Sequence, residues 1–374
     1  VQDRRSRVGE FSASCIVKPN LGDSEIETGF LILNGKGLVR KRDEVIETTD
    51  ELVKKVRFDE RQRLKELLYQ SRAEAEQSLT ARGHYLAMLC ATKNLSKKGM
   101  LDELWDGGTS ILATKKLASE IEKNSVSEHV FELFESIRCK ILGGRPKIML
   151  MAEGNALNGA SEVCRAFRQS SYEEPTDLNL NFRERIGSDA WLIDSRINFC
   201  AMAFPAVSES SEDASSLAVL GKYLQDGFLH SEIREKGGAY GSGAGYFSDS
   251  RAFKFFSFRD PRLLETVEDF RRAIDWLSGP SNDQRLEEAI LGTIRSLEPS
   301  RSPVAEADRA FLSGLFGRSD ESISQFRSRV LTTTHGALID VTQKYLAKNG
   351  KISFVASKEN LETIKLAGFE ASEL

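Results

Sequence analysis

Apolar positions recur at helical spacing over much of the chain, and short apolar runs bounded by polar residues interrupt them. From Asp59 onward, Leu64, Leu67, Leu68, Ala75 and Leu79 share one helix face. Asp59 reads as the N-cap, and Gly83 as a break before the pattern continues to Ala91. The spacing predicts further helices over 100–106, 110–123 and 127–142, and a buried strand over 147–152 between Gly- and Pro-containing turns. In the second half, 190–204 alternates and reads as a strand. Asp213 reads as the cap of a helix running to about Lys236, with Leu217, Leu220, Leu224 and Phe228 on one face. A strand pair over 240–246 and 252–258, helices over 263–277 and 284–297, a last helix to about Lys348 and a strand over 351–356 complete the pattern. The alternation lacks the regular cadence of a doubly wound sheet, so the expected fold class is α+β.

The two halves repeat. The runs 147–152 and 351–356 match in kind, and Asp59, Arg61 and Leu64 line up with Asp283, Arg285 and Leu286 in the same order. Two ordered matches at similar separations predict a duplicated domain of roughly 200 residues. The expected domains are 1–170 and 171–374, joined by a Ser-, Tyr-, Glu- and Pro-containing linker near 170–177. A strand and a long helix precede the Gly-rich turn of the second copy. The first copy has too few residues before its matching strand, 30–33, to hold both. It is therefore expected to be incomplete at its N-terminus, with an open sheet edge that upstream sequence fills.

Charge narrows the classes of partner. In 374 residues, 52 Lys and Arg balance against 56 Asp and Glu for a net charge of −4, which argues against a nucleic-acid footprint. The longest apolar run, 85–91, is far too short for a membrane span. Five scattered cysteines without a CxxC pair read as isolated, mostly core-facing thiols. They point to a reducing intracellular setting, cytoplasm or organelle matrix.

Candidate chemistry is sparse. His129 and Glu132 reproduce part of an inverted HxxEH zinc motif, but Leu133 stands where the second histidine belongs, so no metal site is expected on this chain. The richest segment runs from Arg234 through Gly237, Gly238 and Tyr240 to Gly245. It follows a helix and opens a strand, the reverse of a dinucleotide-binding turn, so no phosphate cradle is expected. Gly237 and Gly238 permit a sharp reversal, which sets Arg234 and Tyr240 on the two sides of one turn. A guanidinium and a neutral phenol there suit a peptide carbonyl or the oxyanion forming on it. On spacing alone, an arginine capping helix-end carbonyls and a tyrosine packed on a sheet account for the same residues.

The run from Arg234 to Gly241, with Ser257-Phe258-Arg259-Asp260-Pro261 and Leu263-Leu264, resembles the C-terminal half of the presequence-protease-like branch of the pitrilysin/insulinase metallopeptidase family. Val56-Arg57-Phe58-Asp59, Gln70-Ser71-Arg72-Ala73 and Gly83-His84 are similar to that branch too. The resemblance implies four homologous α+β domains in two halves that enclose a chamber, with this chain as the third and fourth. It implies zinc, held by HxxEH and a distal glutamate in the N-terminal catalytic half, and unstructured peptides as substrates. Arg234 and Tyr240 then hold the substrate backbone opposite the zinc, while Gly237 and Gly238 shape the turn. The competing expectation is a stand-alone, non-catalytic peptide-binding or scaffold subunit of the same fold.

Overall fold

The computed structural model describes residues 8–21, 27–122, 128–159, 163, 165, 167, 182 and 189–374. In chain order the first half holds strands β1 (Glu10–Pro19) and β2 (Glu27–Lys36) and helices α1 (Arg42–Lys55), α2 (Arg61–Ala81), α3 (Gly83–Thr92), α4 (Lys97–Asp106), α5 (Gly108–Glu122) and α6 (Glu128–Gly143). The second half opens with β3 (Asp189–Ile193), β4 (Phe199–Pro205) and α7 (Asp213–Leu224), which runs on as a π-helix over Gln225–Lys236. Then come β5 (Gly241–Phe247), β6 (Ala252–Phe258), α8 (Leu264–Trp276), α9 (Asp283–Leu297), α10 (Pro303–Leu315), α11 (Asp320–Leu331), α12 (His335–Tyr345), β7 (Lys351–Ser357), α13 (Leu361–Leu366) and β8 (Glu370–Glu373).

Among the described residues the strands form an antiparallel β1–β2 hairpin and a six-stranded sheet in the order β5-β6-β4-β7-β3-β8. Strand β7 lies parallel to β3 and antiparallel to β4 at the centre of that sheet. Side chains alternate between its faces with the period of two that a pleated strand imposes. Leu192, Cys200, Met202, Phe204, Phe253, Phe255 and Phe354 share one core with α7, α8, α11 and α12. Trp191, Ile193, Phe199, Ala201, Ala203 and Val355 face the other way and share a second core with Leu86, Ala87, Met88, Cys90 and Ala91 of α3.

Helix α3 thus covers a sheet made by the other half of the chain. It is buried almost all round because its sequence, GHYLAMLCAT, is apolar all round. Alanines on β4 leave room for it, and Gly83 lies so close to Phe199 that a Cβ there would fall 2.3 Å from the ring. Helix α10 mirrors the exchange, following α9 as α3 follows α2. The chain just after α10 meets the hairpin: Phe316 packs edge-on to Phe30 at 5.6 Å, and its carbonyl accepts from the Leu21 N–H at 3.0 Å.

Several expectations change. The alternating stretch 190–204 is two strands separated by a turn, because β3 runs parallel to β7 and β4 antiparallel to it, so the chain must reverse between them. Asp59 caps nothing; its carboxylate takes the Arg57 guanidinium at 2.9 Å, and Glu60 occupies the N-cap. Asp213 is the first helical residue, and its carboxylate meets Lys344 and Tyr345, both at 2.6 Å. Cys90 and Cys200 are buried but Cys15 and Cys139 are exposed, so the thiols are not mostly core-facing; Cys164 lies outside the described residues. Residues 147–152 form no strand. In the second half the matching strand, β7, is held between β3 and β4, and no counterparts of those two stand beside the hairpin among the described residues. The expected linker near 170–177 lies outside the described residues.

Candidate functional site

The π-helix at Gln225–Lys236 ends in the Gly-rich turn. Such wide turns are rare and concentrate at functional sites. Gly238 adopts φ 79°, the left-handed cap position. Its N–H donates to the Arg234 carbonyl, and the Ala239 N–H donates to the Ile233 carbonyl, each at 3.1 Å. The backbone itself thereby satisfies the helix-end carbonyls. The Arg234 guanidinium does not cap them and instead reaches His230, with Nη1 donating to Nε2 at 3.4 Å. The other ring nitrogen of His230 lies 3.5 Å from Glu235 Oε1.

Tyr240 is 67% exposed rather than packed on the sheet. Its N–H is shared between the Phe258 carbonyl at 3.1 Å and the Arg259 carbonyl at 3.3 Å, which anchors it to the end of β6. Its ring stands edge-on to Phe258 with centroids 5.7 Å apart. Among the described residues nothing bonds its hydroxyl. Arg234 and Tyr240 thus flank one turn whose backbone bonds fix both ends, and each presents donors outward.

The glycines have separate jobs. A Cβ on Gly237 would lie 2.1 Å from Arg262 Nη2, so the bare backbone lets the Arg262 guanidinium pass beneath the turn. That guanidinium lies 3.0 Å from Asp269 Oδ2. Gly238 supplies the positive φ. The next layer down is Asp260, fully buried, which accepts from the Arg262 N–H at 2.9 Å and Thr266 Oγ1 at 2.8 Å. Burial raises its pKa, against these bonds.

Spacing alone did not single out two neighbours. His84, at the start of α3, packs on Phe258 at 4.8 Å and Phe256 at 5.5 Å, so the other half of the chain touches the ring that supports Tyr240. Burial depresses its pKa and favours the neutral ring. Arg259 lies over the same Phe258 ring at 5.3 Å. The Phe-Arg-Asp-Pro run was the sequence signal for it.

Among the described residues no group of three or more His, Cys, Asp or Glu is placed to hold a metal ion. The His129 side chain lies outside the described residues. A cavity of about 510 Å³ between α1, α2 and α6 is rich in cations, but Lys54, Lys55, Arg57 and Arg138 each pair with a nearby carboxylate. Among the described residues no helix is long and apolar enough to cross a membrane.

Comparison with known proteins defines the class. Residues 2–117 match the family model for the region associated with M16 peptidases of subfamily C, and residues 188–357 match that of the PreP C-terminal domain. The mitochondrial presequence protease of Danio rerio is 26% identical over 376 residues, covering 91% of this chain and 35% of that protein. Presequence protease 1 of Arabidopsis thaliana, chloroplastic/mitochondrial, is 28% identical over 338 residues, covering 89% of this chain and 31% of its own. The crystal structure of pitrilysin shares the fold with a TM-score of 0.61 at 15% identity, over 98% of this chain and 38% of that one. The architecture is therefore the α+β type of pitrilysin-like peptidases. The chain belongs to the M16 peptidase family, in its presequence-protease-like branch, and corresponds to the C-terminal half. It spans about a third of the length of the curated relatives it matches.

Proposed function

We propose that this chain forms one wall of the chamber of a zinc metalloendopeptidase that degrades short unfolded peptides. Arg234 and Tyr240 hold the substrate backbone there, opposite a zinc site in an N-terminal catalytic half. The observation that carries the reading is the state of the pair. The turn's own N–H groups satisfy the Ile233 and Arg234 carbonyls at the helix end, and the Arg234 and Tyr240 side chains are both exposed. Two donors of this kind, one cationic and one neutral, match a peptide carbonyl and the negative charge that builds on it.

Zinc, when bound, polarises the scissile carbonyl and makes water nucleophilic near neutral pH. On this reading the contribution of this chain is to bind and orient the peptide. Arg234 supplies a planar donor fork, His230 and Glu235 steady it from one side, and Phe258 sets the Tyr240 ring. The names of the relatives, mitochondrial or chloroplastic/mitochondrial, support an organelle matrix as the setting.

The same reading takes residues 1–170 as an incomplete copy of 171–374. Hairpin, helix and helix recur in order as β1-β2-α1-α2 and β5-β6-α8-α9. Helices α8 and α9 are displaced from α1 and α2 by the interval that separates Leu64 from Leu286.

The test is kinetic, on the protein that carries this chain together with its catalytic half. Tyr240→Phe is expected to lower kcat/KM by roughly a hundred- to a thousandfold if the hydroxyl meets developing charge. Arg234→Lys is impaired as well, because an ammonium cannot replace the planar fork. A rise in KM with kcat unchanged would confine the pair to holding the ground state. Near-normal kcat/KM in both variants, with unchanged melting temperature, removes the assignment.

A further inference from the structure

We propose that Arg259 is a second substrate-holding guanidinium, which takes a carboxylate of the bound peptide beside the bond held by Arg234 and Tyr240. The proposal rests on the function argued above and names a substrate feature which that function leaves open.

Among the described residues, Arg251 at φ 48° and Arg259 at φ 50° are the non-glycine positions with left-handed backbone. Side chains rarely occupy that region, and residues that do are concentrated at functional sites. Arg251 has a structural reason. It closes the β5–β6 turn, and its guanidinium lies 3.9 Å from Glu27, a carboxylate buried by the other half of the chain. Arg259 has no such reason: it is exposed, and among the described residues no carboxylate lies within ion-pairing distance.

What the strain achieves is placement. Arg259 lies over the Phe258 ring at 5.3 Å, the ring that also meets Tyr240 edge-on at 5.7 Å. The Arg259 carbonyl shares the Tyr240 N–H, so the two residues are set by one backbone bond and one aromatic ring. Stacking fixes the plane of a guanidinium while leaving its edge donors free. The nearby acids are committed elsewhere. Glu235 faces His230, Glu232 pairs with Lys236 and Arg272, and Asp260 is buried against the Arg262 N–H and Thr266. A free planar fork is matched by a carboxylate, which accepts two parallel bonds. On a peptide, that group is either an acidic side chain or the C-terminus.

The test uses the complete enzyme and quenched fluorogenic peptides differing only in Glu or Gln at one position, each with a free or an amidated C-terminus. Arg259→Gly keeps the left-handed backbone, and Arg259→Asn, tolerant of the same φ, is the second variant. Both are expected to lower kcat/KM about tenfold or more for the carboxylate-bearing peptide, consistent with losing a charged hydrogen bond, and to leave its neutral twin unchanged. If the effect follows Glu against Gln, the source is a side chain; if it follows free acid against amide, it is the C-terminus. Equal losses on every peptide, or no loss on any, overturn the proposal. Failure of the underlying function shows separately, as near-normal turnover of every peptide by Tyr240→Phe and Arg234→Lys.

Discussion

Gly237 has no room for even one methyl group. A Cβ there would lie 2.1 Å from Arg262 Nη2 and 2.5 Å from the Ile233 carbonyl. Gly237→Ala must therefore displace the Arg262 guanidinium from the nearly buried Asp269 or open the turn. The expected cost is about 1–3 kcal/mol, the usual penalty for a buried polar group losing its partner, read as a lower denaturation midpoint. Gly238→Ala should cost about 1–2 kcal/mol through its positive φ alone, with the Arg262–Asp269 contact intact. The residue types of this turn were legible in the sequence because glycine next to a helix end has few other uses. What Gly237 makes room for was not, since Arg262 arrives from beyond the next strand pair. Asp213 failed as a cap for a related reason. Its partners, Lys344 and Tyr345, come from α12, and these bonds hold its carboxyl below the usual range.

At the scale of elements, periodicity found most helices, α2 among them although it has no fully buried residue, and missed α1. Helix α10 has no fully buried residue, and neither it nor α11 stood out from pattern alone. The break at Gly83 was legible, but its purpose lies in tertiary structure: it turns α3 across the sheet of the other half. Leu86, 1% exposed, is central to that contact and belongs to the core with Phe199 and Val355. Leu86→Ala is expected to cost about 2–5 kcal/mol, the range for emptying a packed leucine site. Because α3 joins the two halves, the loss should appear as one lowered transition seen by probes in both, such as Trp105 and Trp276 fluorescence. A lowered transition at Trp105 with Trp276 unchanged would show that the sheet does not depend on α3. Residues 147–152 teach the opposite lesson: a strand pattern becomes a strand only where neighbours offer a ladder.

Across the whole molecule, the seam between the halves carries buried acids that no sequence pattern announced. Glu27 on β2 is enclosed near Arg251, and Glu103 on α4 lies near Lys93 and Asp189 while accepting from the Thr109 N–H and hydroxyl. Burial pushes both carboxyls from 4.5 up to about 7, overcoming the nearby cations and hydrogen bonds. The folded state therefore binds these protons more tightly than the unfolded chain does. Their stabilising contribution is complete below about pH 4.5 and is lost as pH rises through about 7. Lys254 on β6 is depressed by burial from 10.5 to about 8, so its own effect falls above this window. Melting temperature should thus decline between pH 5 and 8 by more than the exposed groups explain. Glu27→Gln and Glu103→Gln, which keep the shape and remove the titration, should each flatten part of that decline and together most of it. A double variant that retains the full slope would place the pH sensitivity elsewhere than at the seam.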